Sequence, residues 1–168
     1  MRDYFTRLER TFNEQFELGR RARLIGFDPA LEPESVVTVD LAERVEKSVG
    51  PPDVAVRIRE LSKNIPREEV AFKVAEEVVY GKYGQDGITA ADQAIRTALA
   101  ILDEGVTVAP IEGISDVREK TNADRSRYLA VYFAGPIRSA GGTEMGMAVV
   151  VADFARALLG LDRYKATE

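Results

Sequence analysis

The sequence contains no cysteine and no histidine. The first absence excludes disulfides and thiolate metal sites, and the second removes imidazole from any acid–base or ligating role. Chemistry on this chain would have to rest on carboxylates, lysine, arginine or hydroxyls, with a carboxylate-bound Mg²⁺ as the metal those groups favour. No Asp-x-Asp pair occurs, so no two-metal nucleotidyl-transfer site is written in the chain. No run approaches the roughly 18 consecutive apolar residues of a membrane span. The start, Met1-Arg2-Asp3-Tyr4-Phe5, lacks the apolar centre of a signal peptide, so a cytoplasmic location with no membrane contact is the expectation.

What is present suits an ordinary core. The chain has 168 residues, 45% of them hydrophobic, which is enough for one domain or for a helical segment joined to a small domain. The net charge of −5 is unevenly spread. Residues 1–30 carry 6 basic and 5 acidic side chains, residues 31–117 carry 9 and 17, and residues 118–168 carry 8 and 6. The middle is therefore an acidic stretch suited to solvent or a protein partner, and the last third is mildly basic.

Periodicity divides the chain in the same places. Phe5, Leu8, Phe12 and Phe16 form one stripe of a helix from about Asp3 to Ile25, ended by Gly26 and Pro29 and followed by a proline-punctuated connector over 27–38. Asp40-Leu41-Ala42-Glu43 has capping-box spacing and predicts a short helix to about Val49. Gly50-Pro51-Pro52 stops it, and Val54, Ile58 and Leu61 define the next helical face. Pro66 opens a further helix with Val70, Val74 and Val78 on one side, closed by Gly81 and Gly84. Thr89-Ala90-Ala91-Asp92 opens another, with Ala94, Ile95, Ala98, Leu99 and Leu102 as its apolar face and Gly105 as its end.

The period then changes. Strands are expected at 106–109, Ile114 to Lys120 and Tyr128 to Ala134, before a final helix from about Thr143 to Leu159 that is apolar almost all round and so expected to be buried. The fold class that follows is α+β: a helical N-terminal two-thirds, then a small, mainly antiparallel sheet packed against a buried C-terminal helix. The expected divisions are an amphipathic helix over 1–30, a helical region over 31–105, and a sheet-plus-helix segment over 106–168. The tail from Gly160 to Glu168 reads as the approach to another element, which suggests a piece of a longer chain.

The most localised motif is Gly135-Pro136-Ile137-Arg138-Ser139-Ala140-Gly141-Gly142-Thr143, lying between the last strand and the last helix. Such a junction collects backbone N–H groups, a hydroxyl and the positive end of a helix dipole, the ingredients of a phosphate site. On this reading Arg138, Ser139, Gly141, Gly142 and Thr143 contact phosphate or nucleic acid, with Arg138 facing the anion or a neighbouring acidic group. Gly135 and Pro136 would shape the turn, and Thr143 would cap the helix. The plain alternative is a strand-to-helix turn whose glycines only meet backbone geometry, since the loop lacks the P-loop lysine and the dinucleotide fingerprint. Arg118, Lys120, Arg125 and Arg127 form a second candidate, a basic surface beside that strand, against which stands a merely polar hairpin. The carboxylates Glu68, Glu69, Glu76 and Glu77 fall on helix faces, where solvated charge explains them. Asp116, Asp124, Glu144 and Asp153 would hold a metal only if the fold gathered them.

Taken in order, these residues resemble one family, the N-terminal end of the large subunit of the archaeal family D DNA polymerase, also called archaeal DNA polymerase II. The resemblance rests on Val49-Gly50-Pro51-Pro52 with Arg57-Ile58-Arg59-Glu60-Leu61; on Ala94-Ile95-Arg96-Thr97-Ala98-Leu99; on Ala109-Pro110-Ile111-Glu112-Gly113-Ile114; and on Tyr132-Phe133-Ala134-Gly135-Pro136-Ile137-Arg138-Ser139 with Gly141-Gly142-Thr143. It implies template-directed DNA synthesis by a heterodimer with a small subunit, which chiefly carries the associated 3′ to 5′ exonuclease. It also implies that the catalytic aspartates and zinc-binding cysteines lie downstream. Mg²⁺ and zinc are then expected in the full-length subunit and no cofactor in this segment, whose partners would be DNA, the small subunit and the rest of the large subunit. The segment itself is expected not to be catalytic but to support the active-site body, with a pure protein-interaction module or a stand-alone phosphate-binding enzyme as the rival readings.

Overall fold

A computed structural model describes residues 2–26, 38, 40–104, 113–135 and 142–166. The chain divides into two compact units, residues 1–37 and 38–168. The first unit holds helix α1, Arg2–Leu24. Asp3 in its first turn and Arg21 and Arg23 in its last oppose the helix dipole favourably, and Arg10 and Arg20 pair with Glu14 (3.0 Å) and Glu17 (2.7 Å). Gly26, at φ +95°, closes it as expected, whereas the connector expected over 27–38 lies outside the described residues except for Thr38.

The second unit begins with three short steps. In α2, Leu41–Ser48, the Asp40 carboxylate accepts the Glu43 N–H at 2.9 Å, so the expected cap is formed. The Arg59 guanidinium grips the same carboxylate at 2.7 and 3.0 Å and holds it below its ordinary pKa, tying α2 to α3, Val54–Leu61. Asp53 makes no side-chain cap of α3. Glu46 takes over that work from α2, accepting the Ala55 N–H at 2.7 Å.

Helices α4, Arg67–Val79, and α5, Gly87–Leu102, pack along their length and form the centre of the core. Val70, Val74 and Val78 of α4 and Ile95, Leu99 and Ile101 of α5 are fully buried. α5 opens at Gly87, two residues before the expected Thr89, because the glycine's positive φ of 54° lets the chain turn in at that point. Arg57 clamps α3 to α4 through Glu77 at 2.6 and 2.9 Å, and Lys82 adds a third contact at 2.6 Å. Burial alone would raise the Glu77 pKa, but these two cations hold it below the usual range. Glu77 is therefore a bridging group rather than a solvated charge.

The strands β1, Ile114–Thr121, and β2, Arg127–Phe133, form an antiparallel hairpin with an irregularity between Ile114 and Asp116. The strand expected at 106–109 falls outside the described residues. The register pairs Val117 with Val131 and Ile114 with Phe133 on the inner face, against α5 and the last helix, α6, Gly142–Leu158. Arg96 of α5 donates to the Ile114 carbonyl at 3.0 Å and fixes where the hairpin starts. The helical region and the sheet thus share one core, Ala42 to Ala155, within a single unit. α6 buries one face only: Ala148, Val151, Ala152 and Ala155 are inside, while Met145, Val149 and Val150 are exposed. The burial expected all round this helix is confined to that stripe.

The tail is tied back onto the hairpin. The Asp162 N–H donates to the Arg127 carbonyl at 2.7 Å, and buried Asn122 donates to the Arg163 carbonyl (2.8 Å) while accepting the Lys165 N–H (2.9 Å). Among the described residues no helix is long and apolar enough to cross a membrane.

Candidate functional site

The glycine-rich loop is framed by the end of β2 and the start of α6. The Ala134 N–H donates to the Gly113 carbonyl at 2.9 Å, which carries the hairpin ladder one residue past β2. Gly135 follows at φ +48°, a left-handed turn that glycine adopts without strain. Pro136, Arg138, Ser139 and Gly141 lie outside the described residues. Helix α6 opens at Gly142, so Thr143 is its second residue, exposed in the first turn, instead of the cap expected from the sequence.

The described surroundings of that helix start are acidic. Glu144 lies in the first turn of α6, and Asp103 and Glu104 close the end of α5. Burial pushes the Asp103 carboxyl above its ordinary pKa, and nearby Glu144 adds to the effect while Arg67 opposes it. Arg67, at the start of α4, is paired with Glu104. Arg67 thus answers Glu104, Glu68 and Asp103, while Glu144 acts on Asp103. Among the described residues, buried Asp103 Oδ2 and Arg67 Nε have no hydrogen-bond partner, and no group of acidic residues is placed to hold a metal ion. Asp116, Asp124, Glu144 and Asp153 are not gathered into one site.

The register separates the four residues of the second candidate. Arg118 and Lys120 lie opposite Ala130 and Tyr128 on the outer face of the hairpin. Arg127 lies opposite Thr121 on the other face, paired with Glu119 at 3.0 Å. Arg125 occupies the turn in a left-handed conformation, φ +68°, with its N–H on the Asn122 carbonyl at 3.0 Å. Arg118 is paired with Asp116, and its guanidinium lies 5.6 Å from the Tyr132 ring centre. The Lys120 ammonium is 5.2 Å from the same ring, and the adjacent Tyr132 hydroxyl raises its pKa.

The tyrosines of this face were not singled out from the sequence. Tyr132 faces Asp116, Tyr128 faces Lys120, and the Tyr128 ring meets Tyr164 of the tail at 5.1 Å between centres. The available signal was alternation: Tyr128, Ala130 and Tyr132 share one parity in β2, opposite Leu129, Val131 and Phe133.

Comparison with known proteins completes the description. The family model described as "DNA polymerase II large subunit DP2, N-terminal" matches residues 3–168. The chain is 54% identical over its whole length to the DNA polymerase II large subunit of Methanothermobacter thermautotrophicus, covering 16% of that protein. It is 50% identical over its whole length to the same subunit of Pyrococcus abyssi, covering 12%, and 47% identical to that of Methanococcus maripaludis, covering 15%. The chain thus spans less than a fifth of each of these relatives, and the part it spans is their N-terminal region.

Proposed function

Because the chain belongs to the family of N-terminal regions of DNA polymerase II large subunits, we propose that it is the leading region of a subunit that carries out DNA-templated DNA synthesis. The match over residues 3–168 carries this reading, since a shared name over a short stretch would not extend through helices, hairpin and tail alike. The region's own part is architectural. It offers a preformed core from α2 to α6 on which the loop at 135–143 is presented, while the catalytic carboxylates, Mg²⁺ and zinc belong to residues outside 1–168. The chain has no cysteine for a thiolate zinc site, and among the described residues no group of three or more acids is placed around a metal ion. The small subunit, with its 3′ to 5′ exonuclease, and DNA are the partners of the whole enzyme.

Within that role, contact with the DNA backbone is assigned to Arg138 on the strength of its place in the sequence motif. The test uses the intact large subunit together with its small subunit, and a salt titration of primer–template binding. Replacing Arg138 by Ala should weaken binding and reduce the slope of log affinity against log salt by about one unit, the signature of one lost phosphate contact. An unchanged slope and affinity would remove the loop from the DNA interface. The neighbouring carboxylates Asp103 and Glu144 at the start of α6 favour a second reading, in which Arg138 pairs with one of them and the loop buttresses a neighbouring domain. That reading requires the unchanged slope.

A further inference from the structure

The inner face of the hairpin is spent on the core, but the outer face is composed differently. Asp116, Arg118 and Lys120 of β1 stand across from Tyr132, Ala130 and Tyr128 of β2, so within the two strands two tyrosines and two cations share one surface with a single carboxylate. Asp116 is already paired with Arg118. Arg118 and Lys120 are exposed, Tyr128 and Tyr132 are half-buried, and Tyr164 beside Tyr128 is 65% exposed. Ala130 leaves a low floor between the two strand tyrosines. With a strand rise of roughly 3.4 Å, those two residues are about 14 Å apart along β2, a span suited to two extended nucleotides.

We propose that this outer face binds single-stranded DNA, with bases stacking on Tyr132 and Tyr128 and the backbone running past Lys120 and Arg118. The proposal deepens the polymerase reading, on which the choice of DNA rests, by assigning a strand-binding surface apart from the glycine loop. Aromatic rings interleaved with cations on a twisted sheet are the elements that single strands use: every base has a face to stack, and the phosphates follow the charge. A duplex cannot use the same surface, because its bases are already stacked on each other. A protein partner would be expected to exploit apolar side chains, and this face exposes none larger than Ala130 apart from its tyrosines. The two strands carry a net charge of only +1 on this face, from Arg118 and Lys120 against Asp116, and Asp162, bridged to Tyr128 from the tail, is paired with Lys165. Stacking must therefore supply most of the affinity, and the salt dependence of this contact should be shallow.

Photo-crosslinking reads this contact directly and needs no catalysis. The intact large subunit is mixed with a short oligodeoxythymidine carrying 5-iododeoxyuridine, irradiated, and its adducts are mapped by mass spectrometry. Adducts at Tyr132 and Tyr128 are expected. Tyr132→Ala should lower the adduct at Tyr128 by about five-fold to a hundred-fold, the range for losing one stacked base, while Tyr132→Phe, which keeps the ring, should retain it. Lys120→Gln should lower it less than Tyr132→Ala, and the same sequence in a duplex should give no adduct here. Adducts confined to other parts of the subunit, or equal losses in Tyr132→Ala and Tyr132→Phe, would overturn the proposal. An enzyme that crosslinks at these tyrosines yet extends no primer would count against the polymerase reading and leave the strand-binding face standing.

Discussion

Asp103 illustrates how one side chain can carry a cost that the fold accepts. Its carboxyl is pushed above the ordinary value by burial, with Glu144 adding repulsion, and its Oδ2 has no hydrogen-bond partner among the described residues. A raised folded pKa means that the native state holds this proton more tightly than the unfolded chain does. The contribution is therefore most favourable below the unfolded value near 3.8, declines as pH rises through the raised folded pKa, and is flat above it. Asp103→Asn should remove that decline. Urea midpoints taken between pH 4 and pH 7 should show the variant gaining on the parent as pH rises, and a constant difference would mean that the group is not strained. Asp124 has the opposite sense: Lys165 first, then Ser126, hold its carboxyl far below the usual range, so its contribution is present above the unfolded value and is lost only as pH falls well below it. Neither behaviour was legible in the sequence. Both depend on partners brought together across the chain, Glu144 lying 41 residues from Asp103 and Lys165 the same distance from Asp124.

At the scale of elements the sequence was more informative, because caps and glycines act locally. The Asp40 cap, the faces of α2 to α5 and the two described strands follow from spacing that side chains must satisfy within a turn or two. Registers and partners do not follow in this way. The pairing of Lys120 with Tyr128 depends on how the turn at 122–126 closes, so the aromatic outer face emerges only when the strands are paired. Likewise an apolar pattern all round α6 states what could be buried but not what is available to cover it, and Val149 and Val150 remain 54% and 59% exposed. Glycines show the same division between local and tertiary causes. A Cβ at Gly50 would lie 2.7 Å from Val54 Cγ1 and 2.9 Å from Glu46 Cα, so the α2–α3 junction has no room for it. One at Gly146, inside α6, would meet nothing within 4 Å. Gly50→Ala should destabilise the fold by about 1–3 kcal/mol through overpacking, and Gly146→Ala should stabilise it by about 0.5–1 kcal/mol through helix propensity. Chemical denaturation of the two variants against the parent checks both signs.

Over the whole of residues 38–168, the deciding feature is that α5 touches every layer. It packs on α4 and α2 on the helical side and on β1 and α6 on the other, with Leu99 fully buried in the cluster that joins them. A chain whose helical region and sheet were separate bodies would lose them separately, whereas one core predicts a single loss. Leu99→Ala tests this, because removing a buried leucine costs about 2–5 kcal/mol wherever the surroundings cannot collapse into the space. Helix content can be followed by far-ultraviolet circular dichroism, while the hairpin reports through the fluorescence of Tyr128, Tyr132 and Tyr164 in a background where Tyr4, Tyr80 and Tyr83 are replaced by Phe, there being no tryptophan to mask them. Both probes should shift to lower denaturant by the same amount, as coincident transitions require. A helical transition that moved while the tyrosine signal stayed in place would show two cores. In that case the outer face of the hairpin and the junction at Gly142 would no longer be positioned by the helices, and the architectural role proposed for this region would lose its physical basis.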